Sequence, residues 1–281
     1  MRRFTLIVSV LALTACLLAA DAPPNNALRF TARSQPEKAG LFVINERTVD
    51  WPGPETALLI VDMWDKHWCA GATRRSTAFA PRIDELASAI RAKGGLVVHA
   101  PSDTMKHYEG TPQRELAKAA PKATPPTPIR GWRYLDLSLE GALPIDDKDG
   151  GCDCEPQCPQ PTKGNWPWTQ ENPLIHVAPG DAVTQDGQEV YNLFKQRGIK
   201  HVVICGVHLN MCVLGRTFAI RQLTEWGFDV VLARDLTDTM YNPGMSPHVD
   251  HESGTQLVIA HVERYWCPTT TSDELLRPTK D

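Results

Sequence analysis

Short apolar segments that alternate with helical segments constrain the fold of this chain more than any other feature. Residues 57–61 and 96–99 are apolar runs with β-branched side chains, typical of strands buried on both faces. Between them, apolar residues at helical spacing predict a helix over 78–93, which ends at two glycines. This unit predicts two parallel strands joined by a right-handed helical crossover.

The same alternation returns in the second half of the chain. Regular patterning resumes at 174–177, and strands are predicted at 201–205 and 229–232, with helices at 188–197, 211–226 and 251–265. Strands that alternate with helices predict an α/β domain with three layers, built on a doubly wound, mostly parallel sheet. In such a sheet the functional site is expected at the C-terminal strand ends.

The N-terminus predicts export. Two arginines and an apolar stretch over 6–20 are typical of a signal peptide spanning 1–20, with cleavage after Ala20. A lipid anchor at Cys16 is the alternative. We therefore expect a periplasmic or extracellular protein without a membrane span, with an extended arm over 21–50 and a domain over 51–275. The net charge of −4 gives no reason to expect nucleic acid as a partner.

A long segment interrupts the predicted domain. Residues from about 110 to 172 are rich in proline, glycine and tryptophan and are predicted to be an insertion or lid. In an exported protein, disulfide bonding is favoured over metal binding for its three cysteines. Cys69 and Cys267 are a candidate pair, whereas Cys205 is expected in the core. The insertion cysteines are Cys152, Cys154 and Cys158.

Two strand ends carry the candidate chemistry. Asp62 follows the first strand, and Cys212 lies where a later strand turns through glycine into a helix. The positive end of a helix dipole is expected to lower the pKa of a thiol in its first turn. Backbone N–H groups of the same turn are suited to stabilise an oxyanion.

These motifs resemble those of the isochorismatase-like cysteine hydrolases, which include nicotinamidases and N-carbamoylsarcosine amidases. Residues 206–213 are similar to the nucleophile loop of that family, and Asp62 matches its first-strand aspartate. Arg234 and Asp235, after a later strand, also agree with its pattern. The resemblance covers roughly residues 55–115 and 174–275.

The resemblance implies an exported hydrolase that cleaves a C–N bond of a small molecule. Cys212 would attack an amide-type carbonyl to form an acyl-enzyme, and Asp62 would act as general acid and base. The amides of His208 and Cys212 would form the oxyanion hole, beside a cis peptide bond between Val207 and His208. Cleavage of an isochorismate-type vinyl ether is less favoured, because that chemistry does not need the cysteine.

The third catalytic residue of the family, a lysine upstream of Gly198, has no counterpart at the matching position. The chain holds no lysine between Lys163 and Lys195. Lys163 is the predicted replacement, and Lys66, Lys106 or an arginine are alternatives. A non-catalytic binding protein with the same fold is the alternative function.

Further expectations concern the pocket, metals and self-association. Trp64, His67, Val207 and Asn210 are predicted to bind substrate, although Trp64 is equally suited to pack against the insertion. Nicotinamidases bind a divalent ion through aspartate and histidine after the second strand, where this chain has Asp103 and His107, with His99 on the strand. These two ligand types are weak support, so no metal cofactor is predicted and a divalent ion stays an alternative. By resemblance, a homo-oligomer is expected.

Overall fold

The computed structural model describes residues 26–277. The strands are β1 (Ala27–Ser34), β2 (Glu37–Lys38), β3 (Leu41–Phe42), β4 (Asn45–Pro52), β5 (Thr56–Val61), β6 (Leu96–Ala100), β7 (Ala182–Val183), β8 (His201–Val207), β9 (Asp229–Asp238) and β10 (Thr269–Thr270). Eight of them form one sheet in the order β4-β1-β10-β9-β8-β5-β6-β7. Within this sheet, strands β5 to β10 pair with one another in parallel. The helices are α1 (Ala70–Ala92), α2 (Met105–Tyr108), α3 (Pro112–Ala119), α4 (Gly187–Arg197), α5 (Ile220–Glu225), α6 (His251–Tyr265) and α7 (Ser272–Leu276).

Helices cover both faces of the sheet, as predicted. All six residues of β5 are buried, and successive side chains point to opposite faces. Leu58 and Ile60 pack in one apolar cluster with helix α1, whereas Leu59 and Val61 pack in another with α4 and α6. The predicted three-layer, mostly parallel α/β fold is confirmed.

The arm expected over 21–50 is part of this sheet. Strand β1 pairs antiparallel with β4 along its full length and with β10 at Arg33. Leu28 and Phe30 are buried in the same cluster as helix α1. Residues 27–50, which the sequence predicts to be an extended arm, therefore contribute two strands to the sheet.

Two predicted elements differ from the structure. The regular patterning that resumes at 174–177 corresponds to no strand, and the edge strand is β7, a few residues later. The helix expected over 211–226 is divided into a π-helical turn (Leu209–Val213) and helix α5. At Gly215, between them, a Cβ atom would lie 2.7 Å from the Trp132 ring, so the insertion packs where a continuous helix would run.

The insertion is largely irregular. Between α3 and β7 the chain forms neither helix nor strand, apart from one bridge between Trp64 and Glu171. The predicted signal peptide and Cys16 lie outside the described residues. Within residues 26–277, no helix is long and apolar enough to cross a membrane.

Candidate active site

Asp62 lies immediately after β5, in the centre of the sheet. Its backbone is in the left-handed region with φ of 49°, and its side chain is fully buried. Oδ1 accepts a hydrogen bond of 2.7 Å from the N–H of Ser102, which follows the neighbouring strand β6. The carboxylate is thus held at the C-terminal strand ends, where the site was expected.

The neighbouring strand β8 leads to Cys212. Gly206 is opposite Val61 in the parallel register, which places the end of β8 beside the residue before Asp62. Gly206 has φ of 108°, and a Cβ atom there would lie 2.0 Å from the Val61 carbonyl oxygen. Only glycine permits this approach. The two strand ends therefore bring Asp62 and the turn that carries Cys212 together.

Arg216 provides a positive charge beside Asp62, where the family resemblance implies a lysine. Its Nε lies 3.0 Å from Oδ2 of Asp62, and its side chain is 22% exposed. The guanidinium also lies 5.6 Å from the ring centroid of Trp132, a cation–π contact with the insertion. The sequence places this arginine four residues after Cys212. Residues four apart are neighbours on one face of a helix, so the spacing could have identified Arg216.

Lys163, the predicted third catalytic residue, is not brought to the site. Lys163 is exposed in the insertion, and its side chain forms no hydrogen bond or ion pair with any of residues 26–277. The two oxygens of Asp62 are instead occupied by Ser102 and Arg216. The arginine alternative therefore fits the structure, and the lysine does not.

The pKa of Cys212 is raised, contrary to the prediction from the helix dipole. Burial is the largest cause, and the Asp62 carboxylate adds to it, whereas Arg216 acts in the opposite direction. The expected dipole is weak here because Cys212 lies in a single π-helical turn rather than in a long helix. The resting side chain is therefore a protonated thiol beside a carboxylate.

Arg216 stays charged in this setting. Burial alone would lower its pKa, but Asp62, Cys212 and Asp103 together raise it well above its ordinary value. A fixed cation beside Asp62 balances the charge of the buried carboxylate. It also favours the thiolate once the proton has left Cys212.

His208 lies between strand β8 and the turn of the nucleophile. The peptide bond between Val207 and His208 is cis. The His208 ring is buried, which lowers its pKa to about 4, so it is neutral at neutral pH. Its Nε2 has no hydrogen-bond partner among residues 26–277. His208 directly precedes the π-helical turn that contains Cys212.

Aromatic side chains stack beside this turn. The rings of Trp64 and Trp168 are 4.1 Å apart and nearly parallel, and His67 stacks on Trp168 at 5.5 Å. His67 in turn contacts the His208 ring edge-on at 4.9 Å. The close stack leaves no space for a ligand between Trp64 and Trp168. Trp64 thus packs against the insertion, the second of its two expected roles.

Val207 and Asn210, also predicted to bind substrate, have structural contacts. Val207 is buried in the apolar core. The amide of Asn210 donates to Asp147 at 2.7 Å and to the Met240 carbonyl, and its oxygen accepts from the Met240 N–H. Asn210 therefore fastens the nucleophile turn to the insertion and to the segment after β9.

The candidate metal residues after β6 do not converge. His99 is buried between Glu171 and Asp181, with both ring nitrogens within hydrogen-bond distance of their carboxylates. Burial alone would lower its pKa, but these carboxylates raise it to about 9, so the ring is a cation. His107 is exposed, and Asp103 lies 3.8 Å from Arg216. These residues do not fit a shared divalent ion.

The cysteines also differ from the predicted pairing. All seven between 26 and 277 are free thiols, so the predicted disulfides are not formed. Cys69 lies beside the three insertion cysteines instead of beside Cys267. Cys205 is fully buried, in agreement with its expected core position. Cys267 is buried in the core on the α4 and α6 side of the sheet.

Comparisons with known proteins agree with this fold. Residues 174–250 match the model of the isochorismatase domain family. A search of curated protein sequences gives no match. A cysteine hydrolase from Pseudomonas syringae pv. phaseolicola 1448A has a similar structure, with a TM-score of 0.50 and 17% identity over 81% of this chain and 94% of that one.

Two further solved structures are more distant. An isochorismatase from Pseudomonas putida KT2440 is 13% identical, with a TM-score of 0.47, and the match covers 80% of this chain and 92% of that one. A pyrazinamidase from Pyrococcus horikoshii, solved in complex with zinc, is 16% identical, with a TM-score of 0.41 and coverage of 78% and 99%.

The fold and the site define an α/β protein with a cysteine and an aspartate at adjacent strand ends. Residues 174–250 match the isochorismatase domain, and the fold is similar to that of a solved cysteine hydrolase. The resemblance that the sequence motifs indicated is confirmed.

Proposed function

We propose that the protein hydrolyses a C–N bond of a small amide through a covalent acyl-enzyme on Cys212. The observation that carries this proposal is the grouping of Cys212, Asp62 and Arg216 at adjacent strand ends. A thiol beside a carboxylate that can take its proton, with a fixed cation that favours the thiolate, is suited to nucleophilic acyl transfer. The proposal includes export through the segment 1–20, which is supported by its composition.

The first step forms the acyl-enzyme. Asp62 takes the proton of the Cys212 thiol, and the thiolate attacks the carbonyl carbon of the amide. Arg216 stabilises the negative charge while it resides on sulfur, which offsets the raised pKa of the thiol. The backbone amides of His208 and Cys212 receive the oxyanion of the tetrahedral intermediate. Asp62 then donates its proton to the leaving nitrogen, and the amine departs.

The second step releases the acid. Asp62, again a carboxylate, takes a proton from a water molecule that attacks the thioester carbonyl. Collapse of this second intermediate breaks the bond between carbon and sulfur, and the proton returns to Cys212. Arg216 keeps its own proton throughout because its pKa is raised. It therefore supplies charge, and Asp62 alone transfers protons.

The substrate is expected to be uncharged near the reacting carbonyl. Burial keeps His67 and His208 neutral, since it lowers their pKa to about 2 and about 4. The unpartnered Nε2 of His208 is available to hydrogen-bond a polar group of the substrate. Primary amides and N-carbamoyl compounds of small size are therefore the first compounds to test.

The test is ammonia release from such a panel, combined with acid quenching and mass spectrometry of the peptide that contains Cys212. We expect an acyl adduct on that peptide and loss of turnover in Cys212→Ala. The matched control is Cys205→Ala, which removes another buried cysteine from the strand that leads to the nucleophile turn. Undiminished turnover in Cys212→Ala would rule out the proposed mechanism.

A non-catalytic binding role is the second candidate, and Arg216 is the observation that favours it. A guanidinium does not transfer protons at accessible pH. The site therefore has one proton-transferring group fewer than a site with a lysine in this position. A binding protein would retain ligand in Cys212→Ala and show no acyl adduct in the native chain. The same quenching experiment separates the two functions.

A further inference from the structure

Four cysteines from distant parts of the chain form one compact group, which we name the tetracysteine cluster: Cys69, Cys152, Cys154 and Cys158. Cys69 immediately precedes helix α1, and the other three come from the insertion. Their sulfur atoms all lie within 4.8 Å of one another. Cys69 and Cys152 are buried, and the other two are partly exposed.

The sulfur separations suit a shared ion better than a disulfide bond. Sγ of Cys69 lies 3.2 Å from that of Cys152 and 3.8 Å from that of Cys154. A disulfide requires about 2.05 Å. Four thiolates around zinc, each bonded at about 2.3 Å, have their sulfur atoms about 3.8 Å apart at the corners of a tetrahedron. The cluster has the dimensions of that tetrahedron.

Every sulfur of the cluster also accepts a backbone hydrogen bond. The first turn of α1 supplies three donors: the N–H of Ala70 to Cys158 at 3.4 Å, of Gly71 to Cys154 at 3.2 Å, and of Ala72 to Cys69 at 3.5 Å. The fourth runs from the N–H of Cys158 to Cys152 at 3.4 Å. Donors directed at all four sulfurs stabilise thiolates, the form in which cysteine binds metal.

Nearby charges are balanced by a separate ion pair. Asp153, between two cluster residues, has Oδ1 3.8 Å from Sγ of Cys69. The other oxygen of Asp153 lies 2.6 Å from Nη1 of Arg75 in helix α1, so this arginine balances the charge of the carboxylate. A Cβ atom on Gly71 would lie 2.5 Å from Asp153, which explains why the first turn of the helix has no side chain there.

From these contacts we infer that the tetracysteine cluster binds one structural zinc ion through four thiolates. Four protein ligands leave no open position, so this ion takes no part in hydrolysis. It joins the insertion to the start of helix α1. Trp68, Met211 and Met240 cover the cluster, and Met211 directly precedes Cys212. The ion thus fixes one wall of the nucleophile turn.

The experiment measures metal in the full chain after growth with zinc in the medium. Elemental analysis is expected to give one zinc per chain, and thiol titration is expected to show four additional reactive thiols once a chelator has removed the metal. Refilling the stripped protein with Co²⁺ is expected to give the visible absorption of tetrahedral cobalt and a thiolate-to-cobalt charge-transfer band.

Single substitutions identify the ligands. Cys154→Ser and Cys158→Ser change partly exposed residues and are expected to lower the zinc content severalfold and to abolish the charge-transfer band. Cys212→Ser and Cys267→Ser remove cysteines outside the cluster and are expected to keep both. These readouts need no substrate, so they are independent of the proposed hydrolysis.

Three results would overturn the inference. The first is a zinc content near zero after refilling, with two disulfides seen in the intact mass and in peptide mapping. The second is bound zinc that survives both Cys154→Ser and Cys158→Ser. The third is stoichiometric iron in place of zinc, which would assign the cluster to a redox ion.

Discussion

The guanidinium Nε of Arg216 lies 3.0 Å from Oδ2 of Asp62, on the turn that follows the nucleophile. Asp62 is fully buried, so its negative charge needs a partner inside the protein. Because Arg216 and Cys212 are four residues apart, one short segment brings both the thiol and this partner to the end of β5. The contact links the stability of the fold to the reactivity of the site.

Replacement of Arg216 by methionine is expected to destabilise the protein and to abolish turnover. It leaves a buried carboxylate without its cation, which costs about 3–5 kcal/mol of unfolding free energy. Urea unfolding and ammonia release measure the two effects. Arg197→Met, at an exposed arginine of helix α4, is the control and is expected to change neither. A free energy of unfolding that stays within error in Arg216→Met would contradict this role.

Asp62→Asn is expected to make Cys212 more reactive while it lowers turnover. The carboxylate raises the pKa of the thiol, so its removal lowers that pKa and increases the thiolate fraction at pH 8. Alkylation by iodoacetamide, followed on the Cys212 peptide by mass spectrometry, should accelerate about tenfold for each unit of lowered pKa. Asp65→Asn is the control. Slower alkylation in Asp62→Asn would show that the carboxylate activates the resting thiol instead.

Gly206→Ala is expected to separate the two strand ends of the site. A Cβ atom would overlap the Val61 carbonyl, so we expect a loss of several kcal/mol in unfolding free energy. Gly227→Ala is the matched control, because Gly227 also has a positive φ but no atom within 4 Å of its Cβ position. The control measures backbone strain alone, on the order of 1–2 kcal/mol. Equal losses in the two variants would refute the steric argument.

Stability is expected to fall as the pH falls below about 6.5, partly because the half-buried ring of His67 is neutral in the folded protein. Its pKa is lowered to about 2, whereas the unfolded chain takes up the proton near 6.5. Between these values the unfolded state binds the extra proton, so stability decreases with decreasing pH by about 1.4 kcal/mol per pH unit for this group.

Urea unfolding at pH 6 and pH 4 tests this dependence. His67→Phe keeps an aromatic ring in the stack with Trp64 and Trp168 and is expected to show a smaller loss between the two pH values. His176→Phe, at an exposed position, controls for removal of a histidine. An unchanged pH slope in His67→Phe would mean that His67 gains its proton in the folded protein.

The sequence predicts the central layers of the fold well, because buried strands and amphipathic helices are encoded locally. Helix α6 is predicted at its observed bounds, and Asp62 and Cys212 follow from strands whose apolar runs are continuous. Strands β1 and β4 are harder to recognise, since β4 is mostly exposed and lacks an apolar run. They become part of the sheet only through long-range pairing.

The insertion limits what sequence reasoning can supply about the site. Its path depends on contacts such as Trp168 on Trp64 and Trp132 on Gly215, which no local pattern encodes. Lys163 was predicted from the identity of the family lysine, whereas the fold needs only a positive charge near Asp62. That charge was already present four residues after Cys212, on the nucleophile segment itself.

This arrangement separates reactivity from selectivity. The thiol, its carboxylate and its cation all come from the ends of β5 and β8 and the turn after β8, so their charges balance without a residue of the insertion. The insertion supports that turn through Asp147 on Asn210 and Trp132 on Arg216, but it supplies none of the three groups itself. Changes in the insertion are therefore expected to alter how firmly the reactive groups are held, while the groups themselves stay the same.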